Sequence, residues 1–283
     1  MIEKYVKCNH QVEIRYLEWG SSENTPLLLL HGLGSIASSW MEIAERFSCQ
    51  YHVIAVDLPG HGNSTPLTVY SLENLNTWLD AFLKSVRKTA KKPIAVGHSL
   101  GADILLNYVR HNGDMLEKLI LLDGGYLSQT VDLHVSLGES IANALEFHHN
   151  YQFNDWESFL TSEKQSYARW NQNMEAFSGE KMKCDGSKII LRLDTQTLQG
   201  LIEVYVQHDG ASLLNQVQTD TLLLVSTLPA EVTELRETAL SRITNDNVRY
   251  NFIPNASHDV YLDQPDIVVN EIVSWLHKTK EEG

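Results

Sequence analysis

The chain has 283 residues, 43% hydrophobic and 20% charged, long enough to bury a substantial core without disulfides or a structural metal. A formal net charge of −14 repels phosphate backbones and anionic lipid, so neither nucleic acid nor a membrane surface is an expected partner. Cys8, Cys49 and Cys184 form no CxxC pair, residues 1–10 lack the apolar core of a secretory leader, and no apolar run is long enough to span a bilayer, so a reduced, cytoplasmic protein is expected.

Taken in chain order, residues 12–19 alternate like an exposed antiparallel strand. Continuous apolar runs at 27–30, 53–56, 94–96 and 119–122 read as strands buried on both faces. Helical patterns fall between them at 39–47, 72–89 and 100–111. Strands alternating with helices in this way imply a mostly parallel sheet with right-handed crossovers. The rhythm breaks after Asp123. Residues 128–212 carry aromatic, mixed-polarity helical segments and a single β-like run at 188–193. Strands resume at 221–226 and 248–253, and a helix at 266–278 closes the chain. The expected organisation is an α/β core, residues 1–127 and 213–283, interrupted by a mainly helical cap at 128–212.

Gly97-His98-Ser99-Leu100-Gly101 matches G-x-S-x-G, placed directly after a strand and before an amphipathic helix. A reversal this sharp strains the central residue, and the flanking glycines let neighbouring chain approach. Ser99 is then presented at a helix N-terminus, where negative charge is favoured. Acyl transfer also needs two N–H donors aimed at the developing oxyanion, each worth about 3 kcal/mol. Leu100, following the nucleophile, supplies one. Leu33, in the Gly-rich turn His31-Gly32-Leu33-Gly34, is the candidate for the second. His31 is expected to brace that turn by hydrogen bonding.

His31-Gly32-Leu33-Gly34, Asp57-Leu58-Pro59-Gly60-His61-Gly62-Asn63-Ser64 and Gly97-His98-Ser99-Leu100-Gly101, in that order and spacing, resemble the α/β-hydrolase superfamily, in particular its esterase, lactonase and C–C hydrolase branch. The resemblance covers nearly the whole chain. It implies an α/β-hydrolase fold with a cap inserted after the sixth strand. It also makes 57–64 a structural turn, so Asp57 and His61 are assigned no chemistry. Asn255-Ala256-Ser257-His258-Asp259, after the last strand, resembles the late histidine loop, which makes His258 the base that activates Ser99.

The acid is where the sequence departs from the family. The usual Gly-x-x-Asp turn after the seventh strand is replaced by Ser226-Thr227-Leu228-Pro229-Ala230-Glu231. Glu231 is the nearest carboxylate there. Asp123, at the end of the sixth strand, is the alternative, since the haloalkane dehalogenase branch takes its acid from that position. Asp123 is the preferred assignment and Glu231 the second.

A cap of this size implies a covered, largely apolar pocket, and Trp40 is a candidate substrate contact. The cap's aromatics are Phe147, Tyr151, Phe153, Trp156, Phe159, Tyr167, Trp170 and Phe177, and most of them are expected to pack in the cap's own core. The expected activity is cofactor-independent, metal-free hydrolysis of small or medium hydrophobic carboxylic esters through an acyl-enzyme. Lactone or C–C bond hydrolysis with the same residues is the second possibility. A slow-turnover ligand receptor or regulatory protein is the third.

Overall fold

The computed structural model describes residues 1–8, 12–206 and 208–281. The first half of the chain contributes β1 (Ile2–Cys8), β2 (Val12–Trp19), β3 (Thr25–Leu30), β4 (Tyr51–Val56), β5 (Ile94–His98) and β6 (Lys118–Leu122). The segment after β6 contributes β7 (Gln152–Phe153), β8 (Met182–Asp185) and β9 (Lys188–Leu191), a separate antiparallel sheet in the order 7-9-8. The central sheet resumes with β10 (Thr221–Ser226) and β11 (Val248–Ile253), giving eight strands in the order 1-2-4-3-5-6-10-11. All its neighbours are parallel except β1 with β2 and β2 with β4.

The helices are α1 (Met41–Phe47), α2 (Leu72–Val86), α3 (Leu100–His111), α4 (Leu137–Asn150), α5 (Trp156–Ser166), α6 (Gln172–Glu180), α7 (Thr195–Tyr205), α8 (Gly210–Leu214), α9 (Thr233–Ser241), α10 (Val260–Asp263) and α11 (Pro265–Glu281). Successive side chains of a strand face opposite ways, and β3 divides accordingly. Leu28 and Leu30 join the core layer of α2 and α3, while Leu27 and Leu29 join that of α1 and α11. Helix α2 presents Leu75, Trp78, Leu79, Phe82 and Leu83 at helical spacing and is capped by Ser71, whose side chain accepts from Asn74 N–H. It ends at Val86, where its buried stripe ends, three residues before the end the sequence pattern predicts.

Strand β2 differs from its expected exposure. Ile14 to Trp19 are all buried, because β1, unassigned from the sequence, covers the edge and ion pairs take up the polar positions. Arg15 pairs with buried Asp57, and Glu18 with Lys4. The inserted segment also holds three strands rather than one. The two flanking strands are short, and β8 is polar along most of its length, so neither carries an alternating signature.

The segment between β6 and β10 has a core of its own, built on Phe159, Ile189, Leu198 and Ile202. It is fastened to the rest at several places: Glu180 of α6 pairs with Arg15, Glu42 receives Arg169 and Asn171, and Asp132 pairs with Arg242 beyond β10. Helix α4, by contrast, buries none of its residues fully. No helix among the described residues is long and apolar enough to cross a membrane.

The chain runs outward from β3 to β4 on one side and from β5 to β6 on the other. The carboxyl ends of β3 and β5 therefore flank the point where strand order reverses, which is where open α/β sheets leave a crevice.

Candidate active site

Ser99 occupies the turn between β5 and α3 with φ 50° and ψ −120°, left-handed backbone that a serine adopts only when its surroundings enforce it. The enforcement is visible on both sides. A side chain at Gly97 would meet the Gly101 carbonyl oxygen at 2.5 Å, and one at Gly101 would meet that of Leu30 at 2.4 Å. Ser99 N–H donates to Leu122 O at 3.1 Å, tying the turn to the end of β6.

His258 reaches this serine from the loop after β11. Ser99 Oγ and His258 Nε2 are 2.9 Å apart, and His258 Nδ1 lies 2.8 Å from Asp123 Oδ2. The sequence left two carboxylates open, and they lie in different environments. Asp123 is buried and faces the imidazole, whereas Glu231 sits exposed on a short 3₁₀ turn. Ser226, the last residue of β10, donates to Asp123 through N–H at 2.9 Å and through Oγ at 2.9 Å, and Tyr126 Oη donates at 3.3 Å. Burial pushes the Asp123 carboxyl up, but the hydrogen bond and charge of His258 and the Ser226 donors outweigh it, leaving it below its ordinary value. Burial likewise pushes His258 down, and the hydrogen bond and charge of Asp123 overcome it, so the imidazole titrates above its usual 6.5.

Other groups hold these three in place. His98 Nε2 donates to the His258 carbonyl at 2.9 Å, and burial brings its own titration down to about 4, so it does so as a neutral ring. Asp103, one helical turn after Ser99, is buried at 2% exposure. Burial pushes its carboxyl well above the ordinary range. His98 and Ser226 were not singled out from the sequence, because each acts through a neighbour that only the fold supplies.

Leu33 and Leu100 both line the cavity beside Ser99, and neither backbone N–H has an acceptor among the described residues. Leu100 opens α3, whose first-turn N–H groups are free by construction. His31 is a brace: it accepts from Leu58 N–H at 3.0 Å through Nε2 and meets Gly32 O at 2.8 Å through Nδ1. Burial lowers its titration to about 3. Asp57 accepts from Ala37 and Asn63 N–H, holding two turns rather than facing the cavity. Trp40 departs from its expected role. It is fully buried, stacked on Tyr261 at 4.1 Å, and does not line the cavity, because the 3₁₀ turn that carries it aims the ring into the core beneath the loop.

A cavity of about 650 Å³ opens from Ser99 and His258. Its far wall comes from the inserted segment, and that wall is aliphatic more than aromatic: Leu191, Leu193, Leu198, Leu201, Ile202 and Val206. Of the inserted aromatics named from the sequence only Phe147 lines it, while Tyr151, Phe153, Trp156 and Phe159 pack edge-on in a chain. One charged residue on the wall went unnoticed in the sequence: Arg236, on the buried face of α9 with Ala239 and Leu240. Its spacing to those two apolar residues was the available signal. No group of three metal-ligating side chains converges among the described residues.

Residues 27–271 match the model of the alpha/beta hydrolase family. The chain is 33% identical over 127 residues to the (E)-2-((N-methylformamido)methylene)succinate hydrolase of Acinetobacter baylyi, covering 44% of this chain and 47% of that one. It is 33% identical over 105 residues to the pimeloyl-[acyl-carrier protein] methyl ester esterase of Vibrio vulnificus, covering 37% and 39%. The chain thus spans about half, or less, of the length of the curated relatives it matches. A crystal structure of E-2-(acetamidomethylene)succinate hydrolase superposes with a TM-score of 0.79 over 98% of this chain and 99% of that one, at 18% identity, a likeness of fold.

Proposed function

The chain belongs to the α/β-hydrolase family, and from that premise we propose that it is a serine hydrolase of carboxylic esters, working through an acyl-enzyme. The observation that carries this reading is the unbroken path from Ser99 Oγ to His258 Nε2 at 2.9 Å and from His258 Nδ1 to Asp123 Oδ2 at 2.8 Å, at the floor of an apolar cavity. Serine is a poor nucleophile until a base takes its proton, and neutral His258 is placed to do so. Ser99 Oγ attacks the substrate carbonyl carbon as its proton passes to Nε2. The Leu33 and Leu100 N–H groups receive the oxyanion, each contributing about 3 kcal/mol to the transition state. Collapse expels the alcohol, which takes the proton from His258. Water, deprotonated by the same imidazole, then releases the acid and restores Ser99.

Asp123 holds the ring with Nδ1 protonated and Nε2 free to accept, and it stabilises the imidazolium that forms. The inserted segment acts as a cap, and its aliphatic wall favours small or medium hydrophobic groups over polymers. The name of the Acinetobacter relative, hydrolase of a substituted methylene succinate, favours a second reading in which the scissile bond is not a simple ester. The same residues serve either bond.

Labelling with a fluorophosphonate and hydrolysis of short p-nitrophenyl esters test the reading, with Ser99→Ala beside the wild type. Both signals are expected in the wild type, with turnover lower by about 10³-fold or more in the variant. Wild-type protein that neither labels at Ser99 nor turns over any ester would overturn the reading.

A further inference from the structure

Arg236 is 5% exposed and lines the same cavity as Ser99 and His258. A guanidinium carries five donors and a charge that it does not lose, so burying one is costly unless it is both hydrogen-bonded and paired. Its hydrogen bonds are partly met: Nη1 donates to Pro229 O at 3.0 Å and Nη2 to Leu228 O at 2.6 Å. Its charge is not. Carbonyl oxygens leave the net charge in place, and among the described residues Arg236 forms no ion pair with a carboxylate, in contrast to buried Arg15, which pairs with Asp57. Asp123, which lines the same cavity, is engaged by His258 and both donors of Ser226, and the Tyr126 hydroxyl feels both Asp123 and Arg236. Among the described cavity-lining residues Arg236 is the only arginine or lysine, set in a wall that is otherwise mostly aliphatic.

We propose that Arg236 makes this cavity a site for substrates that carry an ionised carboxylate remote from the scissile bond, such as half-esters of dicarboxylic acids. The inference rests on the hydrolase reading of Ser99 and narrows its substrate class. A planar guanidinium matches a carboxylate with two parallel hydrogen bonds, and the apolar wall strengthens that attraction by excluding water. The chain's net charge of −14 repels such an anion elsewhere on the surface, so the buried cation gives it a single place to settle. The aliphatic wall then accommodates the methylene chain between the two ends.

The test compares p-nitrophenyl half-esters of adipic and suberic acid with their methyl-capped counterparts, which differ only in that charge. The expected kcat/KM of the wild type favours the better half-ester over its capped form by about tenfold or more, and Arg236→Gln is expected to abolish that ratio while Arg236→Lys keeps part of it. A wild-type ratio at or below one would overturn the proposal. So would a ratio that Arg236→Gln leaves intact, with both esters slowed alike, since that outcome assigns Arg236 to holding the Leu228–Pro229 loop. Protection of Ser99 from fluorophosphonate provides a second measurement that depends on neither turnover nor variant folding. Adipate is expected to slow wild-type labelling more than hexanoate does, and equal protection counts against the proposal. Failure of Ser99 to label at all strikes instead at the hydrolase reading.

Discussion

The ends of β6 and β10 lie side by side in the sheet, in register from Leu119 opposite Thr221 to Leu122 opposite Leu224, yet they carry opposite chemistry. The end of β6 offers a carboxylate, Asp123, held in left-handed backbone at φ 43° and aimed at His258. The end of β10 offers donors, the N–H and Oγ of Ser226, and the following helix α9 brings the cation of Arg236. The carboxylate that does follow β10, Glu231, points to solvent. Adjacent strand ends can divide one task in either direction. What matters is that one carboxylate reaches Nδ1 and that its other lone pairs are satisfied, and Ser226 satisfies them from the neighbouring strand.

That contrast can be broken most forcefully at β6. Asp123→Asn is expected to lower ester turnover by about 10³- to 10⁴-fold, because the amide leaves the imidazole without a partner that stabilises its protonated form. The same variant has a pH signature. On the proposed mechanism His258 must be neutral to accept the Ser99 proton, and Asp123 raises its titration, so wild-type activity is expected to rise with pH through a midpoint above 6.5. Removing the carboxylate charge is expected to move that midpoint down, which a pH–rate profile of the residual activity reads directly.

At β10 the expected effect is smaller. Ser226→Ala removes one of the two donors that Ser226 offers Asp123 but keeps the backbone N–H, so turnover should fall about tenfold, the worth of one hydrogen bond to a charged group. The smallest effect is expected at Glu231. Exposed and remote from the imidazole, Glu231→Gln should leave kcat/KM within about twofold. Steady-state kinetics on one ester orders the three variants, and a loss at Glu231 exceeding that at Asp123 would reverse the roles of the two strand ends.

Much of this was legible in the residues themselves. Apolar runs located β3, β4, β5, β6 and β10, and α3 was located to its last residue, because continuous burial and helical periodicity are local patterns. The turn at Ser99 was legible because a strand, two glycines and a helix must sit together to make it. Strand β1 escaped notice as a sparsely buried edge, and α9 because its buried face begins with an arginine. Trp40 read as a pocket residue from its distance along the chain to the oxyanion loop, a measure that carries no information about which way a ring turns.

The sequence by itself determined the alternation of the core strands from β3 to β6 with helices, the sharp turn that presents Ser99, and the late loop that carries His258, since each follows from spacing and residue type over a few positions. Only the tertiary structure brought Asp123, and not Glu231, beside His258 Nδ1, set Ser226 against that carboxylate and brought Arg236 into the cavity wall. Each of those depends on groups about 20 to 160 residues apart meeting within hydrogen-bonding distance or around a shared cavity, and it is the register of neighbouring strands, not local pattern, that sets such meetings.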